Sequence, residues 1–512
     1  MIDTKTLRTR LTAERLTNTT IIFLLAAPLV VVLYASFLFN PANIDNLLLW
    51  IVQVIADTIS MVVLMSLWLT ILLDILVPEH HRIHSMGSTT FLETKRPTID
   101  VIITTAGEPL AVIKQTLVAA LEMHYPHTTN VFDDGHSNEL KTLCQSLGIR
   151  YIRRPKRLHA KAGNINYGLK LCEGEFFALL DADQVPHKKF ILKLLQHMED
   201  KRMAMVQSPQ YFSNTNYFIA NGTAQAQEIF YKHVCPAKNI SNSAFCVGTN
   251  VIFRRSAIDH IGGIALMGHS EDIWTSFDLH ERGWQTLFVN EIMARGKAPT
   301  TISSFFRQQR RWAQGGLSML FERNPLFSEK LSLDQRLQYF SANSFFLVGI
   351  SICAYLFFPI IYLLFGLKAL NTDSGLLWMI HYIPYFTLYY SLTWLLLGRI
   401  HISTIATALA SFYPYLLALV ATLFGTTQTW VATSSSKNTD NVIMRWIWPH
   451  VFVIALTLCA LVVGWFDPIN FWTTFYNSVW ASINMYLLFV FVTGEKRLVA
   501  KEITKVPIEG IV

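Results

Sequence analysis

Residues 99–109 read Ile-Asp-Val-Ile-Ile-Thr-Thr-Ala-Gly-Glu-Pro, an almost continuous apolar run that stops at turn-forming residues. A run of this kind predicts a buried β-strand, and the helical pattern of residues 110–123 follows it directly. The same order of strand and helix recurs after residues 129–132 and after residues 176–180. Strands that alternate with helices predict an α/β domain with a mainly parallel sheet.

Acidic residues follow two of these strands. Asp133 and Asp134 end one strand, and Asp181 and Asp183 end another. Ligands of open α/β sheets bind beyond the carboxyl ends of the strands, so these carboxylates are expected at one crevice. There, Asp181 and Asp183 could hold a divalent cation against a diphosphate. Taken alone, an Asp-x-Asp pair is more often a polar turn that closes a strand.

The run between the two acidic clusters, residues 159–166, reads His-Ala-Lys-Ala-Gly-Asn-Ile-Asn. Its small residues allow the backbone to approach a ligand closely. Lys161 can offset phosphate charge, and Asn164 can donate hydrogen bonds. The composition of this run therefore indicates a contact with phosphate groups beside the acidic clusters.

Two later motifs each allow two interpretations. Glu271 and Asp272 precede an amphipathic helical pattern, where they either favour the helix start through the macrodipole or supply a general base. Residues 308–315 read Gln-Gln-Arg-Arg-Trp-Ala-Gln-Gly and combine amide, cationic and aromatic groups. This second motif also fits an interfacial helix with snorkelling arginines and a Trp anchor.

The composition predicts a membrane protein, because 52% of the residues are hydrophobic and only 15% are charged. The net charge of +7 arises from Lys and Arg beside apolar segments, which indicates lipid headgroups and not nucleic acid. Six apolar runs are long enough to span a bilayer. These predicted spans are residues 19–39, 47–77, 343–366, 376–397, 446–465 and 472–493.

A seventh apolar run, residues 403–425, is ambiguous. If it crossed the bilayer, Lys437, Arg445 and the basic tail would lie outside, against the positive-inside rule. We therefore expect an interfacial or re-entrant helix, with both termini and the middle domain in the cytosol. The predicted division is a membrane section at 1–97, a cytosolic domain at 98–342, a membrane section at 343–493 with a gating-loop-like segment at 426–445, and a tail at 494–512.

The clusters Asp-Asp-Gly, Asp-x-Asp, Glu-Asp and Gln-x-x-Arg-Trp, in this order and spacing, resemble processive glycosyltransferase family 2, which includes cellulose, hyaluronan and chitin synthases. The resemblance covers residues 98–320 closely and looks most like the cellulose synthase branch. It implies a GT-A-type cytosolic domain in the inner (plasma) membrane. It further implies inverting polymerisation of a UDP-sugar, UDP-glucose being favoured, with Mg²⁺ or Mn²⁺ as cofactor and export of the growing polysaccharide through the chain's own channel.

The resemblance also implies roles for individual residues, with Asp272 as the catalytic base. The implied donor and UDP ligands are Asp133, Asp134, Lys161, Asp181, Asp183, Gln308, Arg311 and Trp312, of which Asp181 and Asp183 would also bind the metal. The implied acceptor site consists of Trp312, Cys246, Gly248 and Thr249.

A gating loop is the weakest part of the resemblance. The family's loop reads aromatic-x-Val-Thr-x-Lys, and Trp430 and Thr433 match it, whereas Lys437 comes two positions late. The tail after residue 493 has no room for a cyclic di-GMP-binding PilZ domain. Such control is therefore expected from a regulatory protein in trans, and an accessory export subunit is a further expected partner.

Three alternatives remain open at the level of sequence. A non-processive transferase that adds one sugar to a lipid would share the Asp-x-Asp site, and a chitin- or hyaluronan-like synthase would share all the motifs. A transporter or inactive scaffold is disfavoured, because every expected acidic position is occupied and Asp57 and Asp74 are the main intramembrane charges.

Overall fold

The structure is a computed structural model that describes residues 18–77, 87–267, 270–371, 375–426, 440–466, 468, 470–495 and 497–499. The chain begins with two long apolar helices, α1 (Asn18–Leu38) and α2 (Leu47–Leu76). The Asn46 side chain accepts a hydrogen bond from the Leu49 amide and so caps α2. A short helix, α3 (Thr89–Lys95), then leads into the central domain.

The central domain alternates strands and helices, as the sequence predicts. Its elements are β1 (Ile99–Thr105), α4 (Leu110–Leu121), β2 (Thr128–Asp133), α5 (Asn138–Ser146), β3 (Arg150–Ile152), α6 (Ala160–Leu169), β4 (Phe176–Asp181), β5 (Val185–Pro186), α7 (Phe190–Leu195), β6 (Met203–Gln207), α8 (Phe218–Ile229), α9 (Cys235–Ala237), β7 (Val251–Arg254), α10 (Arg255–Ile261), α11 (Glu271–Glu281), β8 (Gln285–Phe288), β9 (Ala294–Arg295) and α12 (Ile302–Glu322).

Seven strands form one sheet in the order β3-β2-β1-β4-β7-β6-β8. The pairs β1–β2, β2–β3, β1–β4 and β6–β8 are parallel, whereas β7 runs antiparallel to both of its neighbours. The predicted mainly parallel sheet is thus confirmed, with β7 as the exception. Strands β5 and β9 form a separate antiparallel pair.

Hydrophobic side chains cover both faces of the sheet. Along β1, Val101 and Ile103 join a cluster with α4 and α7, whereas Ile102 joins a second cluster on the opposite face with α6 and α10. All seven residues of β1 are buried, which is why the strand reads as a continuous apolar run. The domain therefore has three layers, with the sheet between two layers of helices.

The strand register sets the position of the acidic clusters. Within the parallel ladder Thr105 pairs with Asp133, and Thr104 pairs with Asp181. The carboxyl ends of β1, β2 and β4 consequently lie side by side. The prediction that the two acidic clusters share one edge of the sheet is confirmed.

A second group of helices follows the central domain. They are α13 (Leu333–Ser344), α14 (Val348–Phe365), α15 (Gly375–Leu397), α16 (Ile402–Ala410), α17 (Phe412–Leu423), α18 (Asp440–Phe466) and α19 (Phe471–Thr493). Within the described residues, six stretches are long and apolar enough to cross a membrane: 21–38, 47–74, 333–365, 402–423, 446–466 and 471–493. The protein is therefore a membrane protein whose spans flank the central domain on both sides in sequence. This set includes residues 402–423 and omits the predicted span 376–397, which nevertheless forms the 23-residue helix α15.

The ambiguous run forms two helices, α16 and α17, with a break at Ser411. Helix α16 lies against α8 of the central domain, where Ser403 donates a hydrogen bond to the Asn221 side chain at 2.7 Å. Helix α17 lies against α12, where Tyr415 donates to Gln309 at 3.0 Å. Contacts with two helices of the central domain favour the interfacial position, which remains a prediction.

The chain returns to the central domain after α19. Leu498 pairs with Tyr217, and the backbone amide of Val499 donates to the carbonyl of Asn216. The C-terminal end of α19 therefore lies next to the central domain, and the topology of the spans remains a prediction.

Candidate active site

Lys161 connects the acidic cluster of β4 to the loop before β7. Its ammonium group donates to the Asp181 carboxylate at 2.5 Å and to the carbonyl of Gly248 at 2.7 Å, and it lies 4.0 Å from the Glu271 carboxylate. Although burial lowers the pKa of Lys161, Asp181 and Glu271 raise it above its ordinary value. The Lys161 ammonium group is therefore held between two carboxylates, Asp181 and Glu271, which lie 90 residues apart in the sequence.

Asp183 lies in a strongly negative environment. Burial, with the nearby carboxylates of Asp181 and Glu108, raises the pKa of Asp183 to about 7. The Glu108 carboxylate accepts a hydrogen bond from the amide of Ala106 at 2.7 Å, which fixes it in the turn after β1. In the sequence Glu108 reads only as a turn residue, because its approach to the Asp-x-Asp pair depends on the sheet register.

The residues at this edge fit a divalent cation that is shared with a diphosphate. Within the part of the chain that the structure describes, no three His, Cys, Asp or Glu side chains form a metal cage. Mg²⁺, however, is usually bound by one or two carboxylates, with water and substrate phosphates as its other ligands. Asp181 is 38% exposed, and burial together with the carboxylates of Asp181 and Glu108 raises the pKa of Asp183. Both observations suit a cation that arrives with its phosphate ligand.

Asp272 lies in the first turn of α11, where its carboxylate accepts the backbone amide of Ile273 at 2.9 Å. Burial, followed by the adjacent charge of Glu271, raises the pKa of Asp272 well above that of an exposed aspartate. Gly248 has a φ of +87°, and a Cβ there would lie 3.0 Å from the Asp272 carboxylate. The glycine thus leaves room for this carboxylate beside the Lys161 contact.

Asp133 has its carboxylate fully engaged within the protein. One oxygen accepts from the Thr105 hydroxyl at 2.8 Å and from the Gly135 amide at 2.6 Å. The other accepts from the Ser137 amide at 2.8 Å and from the Tyr151 hydroxyl at 2.7 Å. The side chain is 1% exposed, so its direct role is to shape the loop after β2.

Asp134 forms a two-point ion pair with Arg154, with nitrogen to oxygen distances of 2.7 and 2.6 Å. In the described structure, therefore, both aspartates assigned to the donor side are bound to groups of the protein itself. Asn164, expected to donate to a ligand, instead donates to the carbonyl of Phe132 at 2.9 Å. These three side chains position the loops that surround the crevice, and their predicted contacts with the donor remain predictions.

The motif helix α12 carries the half-buried residues Gln308, Arg311 and Trp312, and its Arg311 approaches Asp272, while the site contacts of Gln308 and Trp312 remain predictions. The charge of Arg311 is close enough to lower the pKa of Asp272, against the larger effect of burial. A Cβ on Gly315 would lie 1.9 Å from the Ser270 hydroxyl, so α12 contacts the start of α11 at the glycine of its own motif. The structure therefore brings the last two sequence motifs together.

The predicted acceptor segment lies between Asp181 and Asp272. The Thr249 hydroxyl is buried and accepts the amide of Asp181 at 2.9 Å, while the Cys246 amide donates to Ser276 of α11 at 2.7 Å. Burial also raises the pKa of the Cys246 thiol. In this structure Cys246 and Thr249 hold the two acidic elements in place, and Gly248 faces Asp272. Contact of the three with an acceptor stays a prediction.

The predicted gating residues Trp430, Thr433 and Lys437 lie outside the described residues, between positions 426 and 440. The last described residue before them, Thr426, accepts a hydrogen bond through its carbonyl from the side chain of Gln314 at 2.9 Å. The segment thus begins at the motif helix α12. Its role remains a prediction.

The sequence is similar to those of bacterial cellulose synthase catalytic subunits. It is 31% identical over 431 residues to the UDP-forming subunit of Pseudomonas fluorescens (strain SBW25), and the aligned region covers 79% of this chain and 58% of that protein. It is 34% identical over 263 residues to the subunit of Xanthomonas axonopodis pv. citri (strain 306), and the aligned region covers 50% of this chain and 36% of that protein. The chain thus matches about a third to 58% of the length of these relatives.

Among solved structures, the mannosyltransferase PcManGT from Pyrobaculum calidifontis, in complex with GDP-Man and Mn²⁺, has a TM-score of 0.52 at 15% identity. The alignment covers 73% of this chain and all of that one, and it supports the predicted GT-A-type fold. Residues 176–493 match the glycosyl transferase family group 2, which is more than half of the chain. The protein therefore belongs to glycosyl transferase family group 2.

Proposed function

We propose that this protein is an inverting, processive glycosyltransferase of the cellulose synthase type, which polymerises the sugar of a UDP-sugar and exports the chain. UDP-glucose and a β-glucan product are favoured, because the relatives are named as UDP-forming cellulose synthase catalytic subunits. The catalytic domain would face the cytosol from the inner membrane. The chain covers only part of those relatives, so the proposal rests mainly on the site itself.

One observation carries the proposal. Lys161 contacts Asp181, at the predicted cation and donor side, and lies 4.0 Å from Glu271, whose neighbour Asp272 is a half-buried carboxylate of raised pKa. A cation-binding carboxylate, a cationic side chain and a candidate base therefore surround one crevice. A general base accelerates attack by the acceptor hydroxyl, and positive charge stabilises the leaving diphosphate.

In the proposed reaction, an acceptor hydroxyl attacks the anomeric carbon of the donor and the bond to UDP breaks, with inversion of configuration. The Asp272 carboxylate takes the proton of the attacking hydroxyl, because burial and Glu271 make it more basic than an exposed aspartate. Lys161 and Arg311 direct positive charge towards the leaving diphosphate. Mg²⁺ or Mn²⁺, held by Asp181 and Asp183, would supply further stabilisation of the diphosphate charge when bound.

The membrane section contains a cavity of about 110 Å³, which suits the export part of the proposal. Its lining combines polar groups with aromatic rings, among them Gln53, Tyr355, Tyr382 and Trp480. These residues come from α2, α14, α15 and α19, respectively. Aromatic faces with adjacent hydrogen-bonding groups are suited to the apolar faces and hydroxyls of a sugar chain.

The direct test uses the purified chain in lipid nanodiscs, with UDP-glucose, UDP-N-acetylglucosamine and UDP-glucuronate as separate donors and with Mg²⁺ or Mn²⁺. We expect UDP release from UDP-glucose, with polymer shown by linkage analysis and size separation. A single sugar on a lipid would favour the non-processive alternative, and a polymer from another donor would favour a chitin- or hyaluronan-like synthase. UDP binding without release under every condition would reject the enzyme proposal.

Export is tested separately in sealed proteoliposomes whose catalytic domains face outward. Polymer made from external donor should enter the lumen and resist added glycanase until detergent is present. Polymer that is fully digested without detergent, at the same rate of UDP release, would reject export while leaving the transferase assignment intact.

A further inference from the structure

Arg154 is a buried cation near the start of the loop that follows β3, and its exposed fraction is 3%. Two of its guanidinium nitrogens donate to the Asp134 carboxylate, at 2.7 and 2.6 Å. Other donors of the same guanidinium bind the carbonyl oxygens of Leu158 and Ala160, the latter at 2.8 Å. One side chain thus joins the acidic cluster of β2 to the backbone turn before α6.

That turn has an uncommon backbone conformation. His159 and Ala160 have φ values of +57° and +39°, in the left-handed region that residues with a Cβ rarely occupy. The carbonyls bound by Arg154 belong to the residues on each side of His159. A Cβ on Gly163 would lie 2.0 Å from the Leu158 carbonyl and 2.5 Å from the Arg154 guanidinium. The glycine of the His-Ala-Lys-Ala-Gly-Asn run is therefore required by this contact.

The turn determines where Lys161 lies in the first turn of α6. Lys161 immediately follows the two left-handed residues, and from there its ammonium group reaches Asp181 and the Gly248 carbonyl. The hydrogen bonds of Arg154 to Leu158 and Ala160 oppose relaxation of the turn to an ordinary conformation. Any such relaxation would move the start of α6 and withdraw Lys161 from the crevice.

We propose that Arg154, oriented by Asp134, is a positioning residue that holds Lys161 in place for the leaving diphosphate. The inference rests on the proposed function, and it changes the role of Asp134, which acts through Arg154 and does not contact the nucleotide itself. The two-point geometry requires a guanidinium, because a lysine ammonium group cannot bind a carboxylate and two carbonyls in the same arrangement.

The test is a double-mutant cycle with two readouts, the dissociation constant for UDP in Mg²⁺ and the rate of UDP release. Arg154→Lys should weaken UDP binding and slow turnover by about tenfold or more in the otherwise unchanged chain. In the Lys161→Ala background the same change should alter either quantity less than about twofold. Asp134→Asn should behave in the same way. Arg153→Lys, at an exposed neighbouring arginine, is the matched control and should change neither quantity.

Equal losses in both backgrounds would overturn the proposal, because Arg154 would then act independently of Lys161. A loss of UDP affinity on Asp134→Asn in the Lys161→Ala background would also overturn it, since Asp134 would then be a donor ligand. If Arg154→Lys does not fold, as judged by its melting temperature, the cycle with Asp134→Asn decides the question. UDP binding needs no sugar transfer, so a chain without transferase activity would refute the proposed function and still report on Arg154.

Discussion

The acidic residues at the end of β2, Asp133 and Asp134, differ from Asp183 and Asp272 in their hydrogen-bond and charge partners. The Asp133 carboxylate accepts four hydrogen bonds from the protein, and Asp134 is paired with Arg154. By contrast, Asp183 and Asp272 are half-buried beside other carboxylates, and their pKa values are raised. A buried carboxylate that is fully hydrogen-bonded stabilises structure, whereas a carboxylate whose pKa is raised by its surroundings is suited to chemistry.

The largest effect is expected at Asp272. Asp272→Asn keeps the shape of the side chain and removes its basicity, so sugar transfer should fall by about 10² to 10⁴-fold while UDP binding stays near normal. Rates of UDP release and calorimetric UDP titrations measure the two quantities. Asp259→Asn, at an exposed aspartate of α10, is the control. Near-normal transfer would refute the base assignment and make Glu271 the next candidate.

The second effect is expected at Asp183, where turnover and stability should separate. Asp183→Asn should reduce turnover by about 10²-fold, because a cation-binding group is lost. Its melting temperature at pH 8 in EDTA should be no lower than that of the unchanged chain, since the pKa raised to about 7 means that the ionised group opposes folding at that pH. Full activity of the unchanged chain in excess EDTA would contradict the cation assignment.

Substitution of Asp133 should lower stability, unlike substitution of Asp183. Asp133→Asn places an amide NH₂ against donors such as Ser137 and Tyr151, so we expect a loss of about 1–3 kcal/mol, seen as a lower melting temperature. Asp259→Asn again serves as the exposed control. An unchanged melting temperature, together with weakened UDP binding, would show that Asp133 is a donor ligand and would remove the distinction between the two groups of carboxylates.

The smallest effect is a shift in pH dependence. Asp272 must be ionised to accept a proton, so transfer should decrease as the pH falls through its raised pKa. Glu271→Gln removes an adjacent negative charge, lowers the pKa of Asp272 and should move this decrease to lower pH. Profiles of UDP release against pH for the two proteins measure the shift. A shift to higher pH would mean that Glu271 does not act on the base through its charge.

Part of the site was predictable from local sequence. The apolar run of residues 99–105 followed by turn residues predicts a buried strand and its end, and acidic residues after such strands predict a crevice. Span lengths and the distribution of basic residues likewise predict the membrane sections. The inferences about the strands and about apolar helices on both sides of the central domain succeed, because strand burial, strand ends and span length each depend on residues that are close together in the chain.

Only the tertiary structure decides which acidic residues remain available for chemistry. Asp133 ends one buried strand and Asp183 follows another, yet Asp133 accepts four hydrogen bonds, whereas Asp183 lies beside Asp181 and Glu108. The hydrogen-bond donors to Asp133 come from β1, from the loop after β2 and from β3. The carboxylates around Asp183 come from the ends of two different strands, β4 and β1. Hydrogen bonding and electrostatic environment depend on distances across the sheet, which strand register sets and local sequence does not contain.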